Sequence, residues 1–380
     1  MDPETRGMVG PNETRRPLVR RLLVWGPSGT IFLLAALALV VLLTESIGVA
    51  GFLLAAVIST TVIGIVVPAF LWVDRLEAEP PALLWFAFGW GALVATTGSL
   101  VVSLAALDAV AARGLDVGLI GAVVVAPVVE ELFKGLGVLV IFLVARREFN
   151  GIVDGITYAG LVAIGFAFVE DIFYLGQGYE QLGQPGLVSV FVLRCLFTPF
   201  AHPMFTVCFG LALGLVAHRR QWRYALVPLL GYLVAVTAHA LWNAAAGVEA
   251  WLWVYLLVQV PLFAGFLGLL VWARQREVRT LREHLTAYGL NGWFTPAEVA
   301  MLISPSQRRQ ARRWARARYG PAGEAAMRAF QDESAELAIA REHLEHGARS
   351  CWWAAREHRL LGVAEQHRAV LRSLPPSAGR

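Results

Sequence analysis

Apolar runs recur along this chain at the length of a bilayer crossing. A helix needs about 20 mostly apolar residues to traverse roughly 30 Å of hydrocarbon. Eight runs meet that need, at about 28–44, 49–73, 82–111, 117–145, 152–175, 187–217, 224–247 and 251–273. Of the 380 residues, 57% are hydrophobic and 16% charged, whereas an ordinary soluble domain carries roughly 25% charged residues. The expected fold class is an all-α polytopic membrane protein of about eight transmembrane helices with a helical cytoplasmic tail. The first run is short enough to resemble a signal-peptide core, but no small-x-small site directly follows it.

Basic residues set the expected orientation. Arg15, Arg16, Arg20 and Arg21 precede the first run. The same side then receives Arg75, Arg146, Arg147, Arg219, Arg220, Arg223, Arg274, Arg276, Arg279 and Arg282, while the opposite loops hold only Arg113. This predicts a cell-membrane protein with both termini cytoplasmic. It also predicts three parts: a basic N-terminus at 1–27, a transmembrane bundle at 28–273, and an arginine- and alanine-rich helical tail at 274–380. In the tail, Ser304 to Gln307 reads as a capping box with Pro305 at the first helical position. The helix that follows reads as a solvated face beside an anionic leaflet, so no nucleic-acid partner is expected. The spacing of the three cysteines suits neither a zinc site nor a disulfide framework, and all three are expected free.

Charge inside a span is costly and faces a bundle interior or a wet cavity. Four segments carry such groups. Pro127-Val-Val-Glu130-Glu131-Leu-Phe-Lys134 places two carboxylates and the only lysine of the chain near mid-span. Glu130 and Lys134 stand at i,i+4 and share a helix face. Pro127 starts a fresh helical segment there, with both glutamates in its first turn. Two adjacent carboxylates in low dielectric do not both ionise easily, so one is a candidate general base. The next run ends in Gly165-Phe166-Ala-Phe-Val-Glu170-Asp171, after Asp154-Gly155 at its start. Asp154 reads as structural, and Asp171, adjacent to Glu170, is open to both a functional and an interfacial reading. His202 lies between Pro199 and Pro203, which loosen the local backbone and call for polar partners. Arg194 in the same run is placed to snorkel or to pair with Glu170. His239 and Asn243 share a face at i,i+4, a histidine and an amide fit to polarise a carbonyl and hold an oxyanion. No HExxH, GxSxG or GxGD pattern occurs.

Together these segments resemble the PrsW family of membrane proteases, over roughly 85–245. That family pairs an EExxK element with a GFxxxEN-like element, a histidine in the next span and an HxxxN/D-like element in the span after. Here the matching residues are Glu130, Glu131 and Lys134, then Gly165 through Glu170, then His202, then His239 with Asn243. Asp171 stands where asparagine is more usual, and the tail resembles those of actinobacterial members. The family is distantly similar to CAAX-processing membrane proteases. The resemblance implies an intramembrane endopeptidase acting on membrane-anchored proteins, of the anti-sigma-factor kind for some relatives. The residue reading gives Glu130 or Glu131 as base, Lys134 tuning them, and His202 and His239 orienting water. Asn243 serves the oxyanion and Glu170 supports the histidines. No cofactor is required by this reading; two glutamates and two histidines also suit zinc, so a divalent metal stays open. The runner-up classes are a proton-coupled transporter or channel, since buried carboxylate–histidine chains also mark ion paths, and a non-catalytic scaffold or sensor. Substrate identity and oligomeric state are not legible.

Overall fold

A computed structural model describes residues 12–146, 148–217, 222–345 and 351–373, with side chains described for all of these except 12–28, 222, 223, 351 and 372. The side chains of the 1–27 segment, Arg147, Arg219, Arg220, Arg223 and Cys351 therefore lie outside what is described. Cys195 and Cys208 are free thiols. Among the described residues all regular structure is helical.

Among the described residues six helices are long and apolar enough to cross a membrane: Gly29–Val73, Pro81–Ala111, Ile152–Leu182, Gln184–Val216, Leu226–Ala246 and Trp251–Leu290. Reaching eight spans requires two further divisions. The first helix, α1 (Asn12–Val73), is interrupted at Gly48, which takes φ 66° and ψ 161°. Its apolar part of 45 residues would extend about 68 Å if straight, twice the hydrocarbon thickness. The other division is the segment 117–144, which gathers Glu130, Glu131 and Lys134 within five residues near its middle.

The helices that build the site follow in order. α2 (Pro81–Ala111) contains a π-helical stretch at Trp90–Ala95. α3 (Ala126–Val144) is entered through a π-helical turn at Gly121–Val125, with Pro127 in its first turn as the sequence predicts. α4 (Ile152–Leu182) is the central helix, buried on nearly every side. α5 (Gln184–Val190) runs into a π-helical stretch at Phe191–Phe197. The helix breaks at Thr198–Phe200 and restarts as α6 (Ala201–Val216). Pro199 forces that break by driving Thr198 out of the helical region. α7 (Leu226–Ala246) and α8 (Trp251–Leu290) complete the bundle.

α4 owes its central place to small residues. A Cβ at Gly155 would overlap the Gly210 carbonyl of α6, and a Cβ at Gly165 would overlap the Phe88 carbonyl of α2. Backbones in membranes approach this closely only where side chains are absent. At its start, Asp154 accepts the Asn150 and Gly151 amides at 2.6 and 3.0 Å, a structural cap on the helix N-terminus. The outer surface of the bundle is studded with Leu33, Val57, Val101, Leu119, Leu241 and Leu257, as a lipid-facing surface requires.

Two expected boundaries move. α4 runs on past 175 to Leu182, because nothing breaks it before Gly183 at φ 64°. α8 continues past 273 to Leu290, so the boundary placed at 273/274 falls inside one helix. Its polar end packs with α9 (Pro296–Leu302), α10 (Pro305–Glu345) and α11 (Cys351–Ser373) around Leu281, Leu285, Phe330 and Leu337. α10 begins at Pro305 and Ser304 Oγ accepts the Gln307 amide at 3.4 Å, which is the N-terminal cap foreseen.

This tail unit docks on the 74–80 loop between α1 and α2. Leu76 is buried in the tail core, Arg308 donates to the Leu76 carbonyl, and Arg274 donates to the Val73 carbonyl at 3.2 Å. In the same loop Asp74 is 3% exposed; its Oδ2 accepts the Glu79 amide at 3.1 Å, while Oδ1 has no hydrogen-bond partner. Burial pushes its carboxyl up to about 8, with the Glu79 amide opposing and the nearby charges of Asp154 and Glu277 adding to the rise. A carboxyl raised on folding contributes stability that is complete below its unfolded value near 4 and is lost as pH rises through about 8. Hydrogen exchange in residues 74–80 and at the start of α10 should therefore quicken from pH 6 to pH 9, after correction for intrinsic rates. Asp74→Asn should flatten that dependence; slower exchange at pH 9 would contradict it.

Candidate active site

The site is assembled where α3, α4, α6 and α7 meet, and its polar groups sort into two carboxylate–histidine pairs and two fixed cations. On α3, helical spacing puts Glu130, Glu131 and Lys134 on one face. Lys134 Nζ lies 2.8 Å from Glu131 Oε1 and 3.3 Å from Glu130 Oε2. The ammonium is fully buried, and its other neighbours are His202 Nδ1 at 3.1 Å and the Phe166 ring, 4.1 Å to the centroid. A buried ammonium so surrounded is held by paired charge, a lone pair and a ring face.

Glu131 is saturated. Oε1 faces both Lys134 and His239 Nδ1, the latter at 3.1 Å, and Oε2 accepts the Thr206 hydroxyl at 2.8 Å. Glu170 on α4 plays the matching part for the other histidine, with Oε2 2.6 Å from His202 Nε2. An ionised carboxylate only accepts, so each neutral imidazole donates its N–H outward to its glutamate. The remaining lone pairs are on His239 Nε2, which faces the interior, and on His202 Nδ1, which accepts from Lys134. The two rings stand 5.4 Å apart and perpendicular, and Phe205 stacks on His239 at 4.9 Å.

Glu130 completes this inner face. Its Oε2 lies 4.0 Å from His239 Nε2, and its side chain keeps 14% exposure against 1% for Glu131. Glu130, His202 and His239 each present one oxygen or nitrogen, and the three atoms lie within 4.8 Å of one another. The donor set, one carboxylate and two imidazoles each backed by a second carboxylate, fits a divalent metal such as zinc. Charge supports the fit. Among the described residues Glu130, Glu131, Glu170 and Asp171 pair with two fixed cations, Lys134 and Arg194, so carboxylates outnumber cations by two.

Of the residues singled out in the sequence, Glu130, Glu131, Lys134, Glu170, His202 and His239 are brought together. Asn243 is not drawn into this network; its amide donates to the Ala122 carbonyl at 2.9 Å, at the π-helical turn before α3. Asp171 is buried and bound to Arg194 at 2.6 Å rather than lying at an interface. Thr206, absent from the sequence reading, enters through its bond to Glu131. Its signal was weak: it stands one helical turn after His202, where a hydroxyl most often bonds its own helix backbone.

Comparison with known proteins bears on this geometry. Residues 79–266 match the family model described as "PrsW family intramembrane metalloprotease". The chain is 26% identical to Protease PrsW of Geobacillus kaustophilus over 220 residues, covering 56% of this chain and 84% of that one. It is 29% identical to Protease PrsW of Oceanobacillus iheyensis, over 30% of this chain and 48% of the relative. It is 30% identical to Protease PrsW of Clostridioides difficile, over 28% and 46%. The chain thus spans about half the length of the last two. No solved structure matches significantly. The family description names a metal that the sequence reading had left open, and Glu130, His202 and His239 are the residues here that suit one. The matched region contains all four site helices, and the chain belongs to the PrsW family of intramembrane proteases.

Proposed function

We propose that this chain hydrolyses peptide bonds of membrane-anchored proteins at the face formed by Glu130, His202 and His239. One observation carries the reading: the two adjacent glutamates have opposite surroundings. Glu131 spends both oxygens on Lys134, His239 and Thr206. Glu130 has a single close donor, Lys134 at 3.3 Å, and retains exposure. Glu130 is therefore the carboxylate with room to take a proton from water, and Glu131 fixes His239 and Lys134 in position.

Glu130, His202 and His239 would hold the metal of the family description. Bound there, the ion supplies Lewis acidity and a more acidic water. The remaining work belongs to side chains. With one oxygen given to the ion, Glu130 would use the other to accept the proton of the attacking water and return it to the leaving amine. The lone pair of His239 Nε2 orients polar groups at this face, and that of His202 Nδ1 joins it when Lys134 gives up its contact there. Lys134 offsets the mutual repulsion of Glu130 and Glu131, with its donors already engaged. Asn243, one turn beyond His239, is the neutral donor for the oxyanion; that role requires its amide to exchange the Ala122 carbonyl for that of the substrate, a tightening common on substrate binding.

The one-sided basic loops support a cell-membrane topology with both termini cytoplasmic. On that topology the start of segment 117–144 and the end of α4 face outward. Glu130 stands 13 residues after Val117 and Glu170 stands 12 before Leu182, so both lie about 18–20 Å along their helices from that side. That is at or just outside the midplane. The resemblance supports anti-sigma-factor-like substrates with a single anchor. A transporter or channel reading is not favoured, because the matched family is one of proteases.

In proteoliposomes with a co-reconstituted single-span substrate, Glu130→Gln and His239→Ala should each lower cleavage at least about 100-fold while the protein stays monodisperse. Full activity in both variants would remove the assignment. The cleaved bond, mapped by mass spectrometry in a substrate of known orientation, should fall in the extracytoplasmic half of its span. A cut in the cytoplasmic half would reject the proposed depth.

A further inference from the structure

The network does not end at Glu170. Arg194 lies on the π-helical stretch Phe191–Phe197, outside the four segments with which the catalytic reading is built. Its Nη2 is 2.6 Å from Glu170 Oε2 and its Nε is 2.6 Å from Asp171 Oδ1. The guanidinium also stacks over Tyr174, 4.1 Å from the ring centroid. Glu170 and Asp171 are adjacent on α4, so their side chains leave the helix about 100° apart. A planar fork with donors on separate nitrogens spans two such carboxylates and fixes the direction of each bond. The π-helical stretch aims the fork; such irregular turns recur at functional sites because they redirect one side chain without ending the helix.

The oxygen that Arg194 grips is the one that faces His202. Glu170 Oε2 lies 2.6 Å from Arg194 Nη2 and 2.6 Å from His202 Nε2. Without the guanidinium, Glu170 loses one of its two close partners, and the His202 ring loses a firmly held acceptor at Nε2, one of the two groups that select its tautomer, Lys134 at Nδ1 being the other. Part of the population would then carry the proton on Nδ1, giving up the contact with Lys134. Asp171 holds the other edge of the same fork, which accounts for a carboxylate where the family resemblance favours an amide. An amide in its place would leave Nε with a weaker acceptor and the guanidinium plane less firmly set.

We propose that Arg194 and Asp171 form a positioning clamp: Arg194, squared by Asp171 and Tyr174, fixes Glu170 against His202 Nε2–H and so keeps the His202 Nδ1 lone pair turned to Lys134 and the inner face. The proposal deepens the catalytic reading above and rests on it for the role of His202. Neither clamp residue touches the reacting atoms. A clamp differs from a plain ion pair in one respect: its loss acts wholly through Glu170 and His202.

The test uses the full chain in lipid nanodiscs, with two readouts. The first is the tautomer of His202, read from side-chain ¹⁵N shifts in histidine-labelled protein and assigned by the signal lost in His202→Gln. The second is kcat and KM for cleavage of the reconstituted substrate. Wild type should show the Nε2–H form. Arg194→Gln should bring in the Nδ1–H form and lower kcat about 10–100-fold, the usual cost of losing a group that orients a ligating histidine, with KM within about twofold. Arg194→Lys should restore part of that loss, because one carboxylate regains a cation. Arg194→Gln combined with Glu170→Gln should be no worse than Glu170→Gln alone, since a residue acting through another adds nothing once that other is gone. An unchanged tautomer in Arg194→Gln, or losses that multiply in the double variant, overturns the clamp. If Arg194→Gln does not purify as a single species, the tautomer in Arg194→Lys and Asp171→Asn decides, and the wild-type form in both overturns it. The two readings fail separately: a shifted tautomer with cleavage intact in Glu130→Gln and Glu170→Gln keeps the clamp and removes the catalytic assignment.

Discussion

The desolvation of charge inside the helical bundle is the constraint on which the rest of the structure depends. Removing a carboxylate from water costs several kcal/mol unless partners replace the hydration shell. Six ionisable groups share one region of the bundle around α3, α4 and α6, and each has at least one partner within hydrogen-bond distance. The arrangement still carries two more carboxylates than fixed cations. That excess, placed beside two imidazole lone pairs, is the physical reason the site suits a divalent ion. It also accounts for the engaged donors of Lys134: the ammonium is the local counter-charge that lets Glu130 and Glu131 remain neighbours.

Such a cluster needs a rigid frame, and α4 supplies it. Gly155 against Gly210, and Gly165 against Phe88, let the helices on either side approach to backbone contact. Carboxylates on α4 then reach groups on α5 and α6 without long, mobile side chains between them. The breaks are placed as deliberately as the contacts. The break at Thr198–Phe200 lets His202 start a new helix and turn towards both Lys134 and Glu170. The tail unit is tied to the same frame from the other side, through Leu76, Arg274 and Arg308 on the loop after α1. Its polar helices are therefore packed against the membrane bundle rather than suspended from it.

Much of the site was legible in the sequence because burial makes charge conspicuous. A glutamate pair with a lysine three and four residues on can meet on a helix and nowhere else, and the contacts at 2.8 and 3.3 Å follow from that spacing. His202 and His239 stood out as costly groups in apolar runs. What stayed hidden was set by partners distant in sequence. Thr206 reads as an ordinary helical threonine until Glu131 is placed beside it. Asn243 shares a face with His239, but its amide goes to Ala122, in a π-helical turn whose wider hydrogen-bond spacing changes which carbonyls are free. Helix ends were the least legible feature. Polar residues after 175 and after 273 look like loops, yet the backbone stays helical through Gly176, Gly178 and Gly289 to Leu182 and Leu290. The residues that stop α4 and interrupt α1, Gly183 and Gly48, adopt positive φ, which a sequence does not announce.

The central claim is that Glu130, His202 and His239 form one cation-binding face matched to the residual negative charge of the bundle. Calorimetric titration of zinc into metal-stripped full-length protein in nanodiscs tests it most directly. The account predicts one equivalent bound by the wild type and loss of that binding in the variant carrying both His202→Gln and His239→Gln. A stripped wild type that takes up no zinc, or a double variant that binds it as tightly as the wild type, would contradict the account.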